Sequence, residues 1–409
     1  MRHHMLAVAM ATGLGLAGLA YNGSAQAADT NTTGVTAAQL QELRAQIASL
    51  QAQLQTLQER TDAQSDINVA NAQAGDAAKA TQDKVDALAK TVNDTQFSGK
   101  MFFDLTNIDQ TSNGSKTNAS GTGFDVKRFY LGVNHKFNDT WSANLTTDFQ
   151  YVSSLDSAAD VYVKKAYLQG KFSDAFIARA GSADLPWIPF TESYYGYRYV
   201  ENTLTDRLKF GTSADWGLHA GGDLAGKKVN YAVSVVNGGG YKNPSRSKGM
   251  DVEARVGFVP VEGMVVAVGG YSGTLAKETE SVDALHTAKR ADVMVAYAKN
   301  AFRIGGEYFR ANNWTTVLSP LSDKADGYSF WGSFGFGNSG ITAFARYDRA
   351  DLSKDLDPSL RDTYYNVGVE FPVRKGVKVA AVYKKDKREN DTTVKLDTQE
   401  VGVWGEVAF

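Results

Sequence analysis

From Phe97 to the end of the chain, apolar and polar residues alternate with a period of two, as expected of strands with two unlike faces. The pattern recurs in segments whose approximate cores are 97–109, 123–137, 140–152, 160–172, 175–182, 209–223, 227–237, 250–259, 263–273, 286–298, 301–311, 326–336, 340–349, 361–372, 376–387 and 397–409. Tight-turn sequences separate alternate pairs: Asn138-Asp139, Ser173-Asp174, Leu224 to Gly226, Pro260 to Gly263, around Asn300, Gly337 to Gly340 and Pro372 to Gly376. Longer polar connections, such as Gln110 to Thr122 and Gly238 to Gly249, fill the other gaps. Short and long connections therefore alternate along the array. That sorting predicts an all-β membrane protein: a 16-stranded antiparallel transmembrane β-barrel over residues 97–409, preceded by a short helical coiled coil.

The period is different in the preface. Leu40, Leu43, Ile47, Leu50, Leu54 and Leu57 follow at alternating steps of three and four, the a/d seam of a coiled coil. Gln and Ala fill the intervening positions and favour helix. The narrow stripe predicts self-association, and residues 28–60 are assigned as an oligomerisation segment. Residues 61–96 lose the seam, with a weaker echo at Val85, Leu88 and Val92, and are expected to be a periplasmic linker of partial helicity. Before them, Arg2, the apolar run Met5 to Ala20 and Ala25-Gln26-Ala27 predict a signal peptide over residues 1–27.

Composition narrows the chemistry. The chain has 409 residues, no Cys, only five His and a formal net charge of −2. Disulfides, thiolate metal sites and a Cys nucleophile are excluded, and the charge offers nothing to nucleic acid. A mean hydropathy of −0.32 is compatible with a membrane barrel because only alternate residues meet lipid. A hydrolase would have to use His135, His219 or His286, and by parity His135 and His219 are not clearly placed beside a Ser or Asp. No catalytic group, metal or cofactor is expected.

Facing follows from parity. Phe137, Trp141, Phe172, Phe176, Phe258, Phe302, Phe336, Phe371 and Phe409 sit near the tight turns and are expected to form one aromatic girdle. Lys165, Tyr167 and Gln169 point inward if Ala166, Leu168 and Gly170 meet lipid. The same logic turns Arg128, Arg179, Arg255, Arg303 and Arg346 inward. The longest connection, Ala183 to Lys209, is too rich in Trp187, Tyr194, Tyr195 and Tyr197 for free exposure and is expected to fold into the barrel mouth as a constriction. Its Arg198, Arg207 and Lys209 join the inward cations as candidate anion-binding residues, for which the planar guanidinium suits phosphate or carboxylate. The other reading of these cations is pairing with Glu253, Glu307, Asp148, Glu370 and Glu406 across the lumen.

Several stretches carry a family resemblance. They are the Gln/Leu coiled coil, VKRFYLGVNHKFNDTWSANLTTDF at Val126 to Phe149, VKKAYLQGKF at Val163 to Phe172, ARAGSADLPW, and RLKFG at Arg207 to Gly211. The C-terminal strand TQEVGVWGEVAF, ending on Phe409, completes the set. Together they resemble the phosphate-selective porin O/P family. The resemblance implies a homotrimeric outer-membrane porin with basic constriction residues, set in outer-membrane lipid and lipopolysaccharide, its N-terminal segment in the periplasm. Its expected cargo is small hydrophilic solutes, anions such as phosphate or polyphosphate first. The longest connection also carries Asp184, Glu192 and Glu201, which leaves a general porin open. Two further readings stand beside it: a sugar porin with Trp187, Tyr194, Tyr195 and Tyr197 as a stacking track, and an envelope tether, with peptidoglycan contact, anchored by its barrel.

Overall fold

The computed structural model describes residues 36–150, 160–300 and 302–409. The expected signal peptide lies outside the described residues, as do the first residues of the oligomerisation segment.

Helix α1 runs unbroken from Ala37 to Asp94. It crosses the boundary at which the seam fades, so residues 61–94 are helical where partial helicity was expected. Ala, Gln, Asp and Lys sustain a helix by propensity without any seam. No residue of α1 is buried, and Leu40, Leu43, Ile47, Leu50, Leu54 and Leu57 are all exposed.

The barrel strands are β1 (Thr95–Ser112), β2 (Ser115–Lys116), β3 (Gly121–Lys136), β4 (Trp141–Gln150), β5 (Asp160–Lys171), β6 (Ile177–Asp184), β7 (Ala214–Leu224) and β8 (Val229–Val236). They continue as β9 (Asp251–Phe258), β10 (Met264–Gly273), β11 (Ala288–Lys299), β12 (Phe302–Asn312), β13 (Lys324–Gly335), β14 (Thr342–Asp351), β15 (Arg361–Arg374), β16 (Val377–Glu389) and β17 (Lys395–Ala408). All pairings are antiparallel, and β1 closes the cylinder by pairing with both β3 and β17. The sixteen expected strands are present, and β2 is an extra two-residue piece in the first long connection. The largest boundary shift is at the strand expected over 209–223, which begins at Ala214, because Lys209 takes φ of 65° and residues before 214 belong to the preceding loop.

Closure draws on the last residue. The Phe409 N–H and carbonyl exchange hydrogen bonds of 3.0 Å with Gly99, and its ring fills the space where a Cβ at position 99 would sit. Facing follows the alternation. Phe137, Trp141, Phe172, Phe176, Phe258, Phe302, Phe336, Phe371 and Phe409 are all exposed at the tight-turn end. At the other end, Tyr308, Tyr328, Tyr347, Tyr365 and Tyr383 occupy outward positions on β12–β16, with the Tyr328–Tyr347 ring centroids 6.4 Å apart. Two aromatic bands flanking Val, Leu and Ile define the lipid-facing zone. The inner face is the reverse, holding Asp148, Glu253, Asp292, Glu307, Asp348 and Asp362 buried.

Candidate functional site

The connection between β6 and β7 lies inside the cylinder. It forms helix α2 (Ile188–Tyr195) and the short helix α3 (Leu204–Arg207). Pro189 in the first turn suits the start of α2, and Gly196 at φ 82° ends it. Trp187, Ile188, Tyr195, Tyr197, Tyr199 and Val200 are buried against Val265, Ala267, Met294, Ala296, Trp331 and Phe344 of the wall. Tyr197 stacks on Phe344 with centroids 4.1 Å apart. Three of the four aromatics expected to line a constriction or stacking track, Trp187, Tyr195 and Tyr197, therefore spend their rings on seating the loop. Tyr194 is half-buried against Phe190.

Polar bonds fix the same seat. Glu253 accepts the Trp187 N–H at 2.8 Å, and Glu307 accepts the Leu204 N–H at 3.1 Å. Arg255 donates to the Pro186 carbonyl at 2.9 Å and lies 3.5 Å over the Phe190 ring. Arg303 donates to the Ser193 and Tyr194 carbonyls, both at 3.0 Å. Arg346 donates to the Asn202 carbonyl at 2.5 Å while gripping Asp348 at 2.6 Å. Arg207 reaches Asp348 at 3.1 Å, Asp362 at 2.6 Å and Asp386 at 3.0 Å. Lys384 pairs with Glu201 at 3.2 Å and Glu400 at 2.8 Å. Burial by itself would raise the Glu201 carboxyl, but Lys384, Lys127 and the Asn202 N–H hold it well below the usual carboxylate range.

These contacts divide the expected anion-binding set. Arg207, Arg255, Arg303 and Arg346 hold the loop to the wall. Arg179 faces a side cavity of about 420 Å³ with His219 and Asp223, donating to Gln169 at 2.7 Å. Arg128, Lys165, Arg198 and Lys209 instead line the cavities beside β1 and β3–β5, the candidate passage. Arg128 pairs with Asp148 at 2.9 Å, Lys165 with Asp184 at 2.5 Å and Arg198 with Glu192 at 2.6 Å. Two cavities meet there. One of about 350 Å³ is lined by Lys127, Arg128, Asp104, Lys209 and Glu400. The other, about 750 Å³, is lined by Lys100, Tyr130, Lys164, Lys165 and Glu192. Phe102 and Arg198 line both, so Arg198 stands at the junction.

Strict parity misses two cations in this passage. The pairing of β1 with β3 slips between Phe102 and Phe103, where Phe102 faces Arg128 and Phe103 faces Val126. The pairing of β4 with β5 slips between Thr146 and Thr147, where Thr146 faces Lys165 and Thr147 faces Val163. Lys127 and Lys164 are the extra residues. Each bulge re-aims a side chain, so the doublets Lys127-Arg128 and Lys164-Lys165 both face the lumen. Lys164 is buried over the Tyr130 ring, 4.7 Å from its centroid, and Lys127 donates to the Val200 carbonyl at 3.3 Å. A signal existed: two adjacent cations at membrane depth cannot both avoid lipid in a regular strand, and lipid exposure costs a few kcal/mol.

Other residues were also missed. Tyr241, in the connection after β8, turns inward and donates to Asp148 at 2.8 Å. Arg290 pairs with Asp292 at 2.9 Å and Glu253 at 3.2 Å. The histidines do meet hydroxyls: His219 Nδ1 lies 2.8 Å from Ser234 Oγ, and His135 Nδ1 2.9 Å from Thr95 Oγ1. With its Nε2–H donating to the Gly181 carbonyl at 3.2 Å, His219 is oriented by a backbone group, not a carboxylate.

A closed cylinder, apolar outside, ion-paired within and narrowed by an inserted loop, is an outer-membrane channel. The family and the fold are those of a channel rather than an enzyme. The chain belongs to the phosphate-selective porin O and P family, whose sequence profile matches residues 95–299. No curated protein matches the chain. Among solved structures, it is similar to the outer membrane channel DcaP of Acinetobacter baumannii, at 12% identity and a TM-score of 0.54, covering 77% of this chain and 97% of that one. An anion-selective porin from Comamonas acidovorans matches at 11% identity and a TM-score of 0.53, covering 77% and 99%. OmpF of Salmonella typhi, in complex with daunomycin, matches at 12% identity and 0.52, covering 77% and 97%. These similarities establish the shared barrel fold.

Proposed function

We propose that this channel passes small hydrophilic solutes by diffusion and prefers small anions, phosphate among them. The supporting observation is the wall of β3–β5, where two bulges set Lys127, Arg128, Lys164 and Lys165 beside Arg198 at the junction of the two cavities. An anion entering from the Lys209 side meets a cation at each level. Arg128, Lys165 and Arg198 each keep a carboxylate partner, so they offer a moderate field that attracts without trapping. The passage is open to a general range of small solutes. A sugar track has less support, because the rings proposed for it are mostly packed.

The N-terminal helix is read as a self-associating periplasmic segment of a homotrimer, with its exposed Leu/Ile seam as the contact. The test of selectivity is the reversal potential of the full-length channel in a KCl gradient across a planar bilayer. Chloride is expected to be preferred, with the preference shrinking as salt rises because the Debye length falls from about 10 Å at 0.1 M to about 3 Å at 1 M. Lys164→Gln should lower the preference with little change in conductance. Cation preference in the unmodified channel would overturn the anion reading while leaving the channel class intact.

A further inference from the structure

The pathway and the loop seat together give Arg207 a role different from that of the passage cations. Its guanidinium lies over the Tyr364 ring, 4.5 Å from the centroid. Tyr364 is opposite Asp348 on one neighbouring strand and opposite Asp386 on the other, so the three residues form one row across β14, β15 and β16. Asp362 lies two positions along β15 on the same face. Arg207 bonds all three carboxylates, and its side chain keeps only 7% exposure.

The other partners complete a balance. Arg346 grips Asp348, and Arg388 holds Asp362 at 3.1 Å. Asp348 and Asp362 are fully buried, whereas Asp386 keeps 40% side-chain exposure towards the lumen. Three arginines thus face three aspartates. Two of the arginines come from the wall, and Arg207 comes from the loop. Without it, these three aspartates face only two arginines, and Asp386 is the one of the three whose side chain is exposed. Sitting two residues before Lys209, Arg207 also ends α3 and so fixes where the loop leaves the acidic wall.

We propose that Arg207 is a specificity-determining positioning residue. It latches the inserted loop to β14–β16 and, by the same bonds, hides an acidic cluster from permeating ions. On this reading it is not a binding step for anions. The proposal rests on the chain being a channel and not on the direction of its native preference, since the shifts below are measured against the unmodified protein.

The experiment is the reversal potential and single-channel conductance of full-length variants in a KCl gradient, with folding checked by heat-modifiable migration on gels. Arg207→Gln is expected to lower the chloride-to-potassium permeability ratio by about threefold, the scale set by one charge acting across several ångströms of water. Asp386→Asn alone should raise the ratio, because it leaves Arg207 in excess. The double variant R207Q/D386N restores the balance and should return the ratio close to that of the unmodified channel. A direct anion-binding role predicts no such recovery. An unchanged ratio in R207Q, or a double variant that stays at the R207Q value, overturns the proposal. If R207Q fails to assemble, Asp386→Asn decides alone: an unchanged ratio counts against the latch and a raised ratio supports it.

Discussion

The inner wall of this barrel is built from charges that are worth more as sets than singly. Arg290 is the sharpest case. Its side chain is fully buried, as are its partners Glu253 and Asp292, and it also donates to the Phe210 carbonyl at the far end of the inserted loop. Removing one member of such a set leaves the others charged and unpaired in a region with little water, which typically costs about 3–5 kcal/mol. Arg290→Met should therefore lower the temperature at which the folded band disappears on heat-modifiability gels. Arg179→Gln removes a hydrogen bond to Gln169 and a contact over the Tyr167 ring at the edge of an open cavity, with no buried carboxylate left unpaired, and should leave that temperature almost unmoved. Equal effects of the two substitutions would contradict the assignment of Arg290 to the wall rather than the passage. Arg207 and Arg290 look in the sequence like any other arginine near a strand. Their roles depend on acids 141 and more residues away for Arg207, and that pairing exists only once the barrel is closed.

At the scale of elements, the strands were legible because lipid enforces the period: a residue on the wrong face costs a few kcal/mol, so the alternation has to be written in the chain. The loop's inward fold was legible for a related reason, since Trp187, Tyr195 and Tyr197 demand burial. Bulges escape a reading that counts by twos, because an extra residue changes the parity only locally. The doublets at Lys127-Arg128 and Lys164-Lys165 hold that information once the cost of lipid exposure is applied to both members. The consequence is testable by deletion. With Lys164 removed, Val163 and Lys165 already sit opposite the adjacent residues Thr147 and Thr146, so β5 can run on as a regular strand. That deletion should fold and lose chloride preference to a similar degree as Lys164→Gln. Deleting Tyr167 from the regular part of the same strand instead turns Leu168 inward and Gln169 towards lipid, and should sharply reduce the yield of heat-modifiable protein. Comparable yields from the two deletions would mean that Lys164 is not an extra residue.

For the whole molecule, the barrel accounts for its own apolar surface and the helix does not. The outer residues of the cylinder meet lipid between two aromatic bands, whereas Leu40, Leu43, Ile47, Leu50, Leu54 and Leu57 form a stripe on α1 that is exposed among the described residues. If other copies bury the stripe, as proposed above, each seam residue contributes about 1.5–3 kcal/mol. Leu at both seam positions leaves the number of strands to the rest of the assembly. If the seam joins three copies, Leu50→Lys with Leu54→Lys should abolish cross-linking between helices while leaving the conductance of each barrel unchanged, since the described residues that line the two cavities all belong to the barrel. Cross-linking that survives both lysines would assign the stripe to some other contact. A fall in single-channel conductance would mean instead that the helix shapes the passage, and the separation of the two parts would fail.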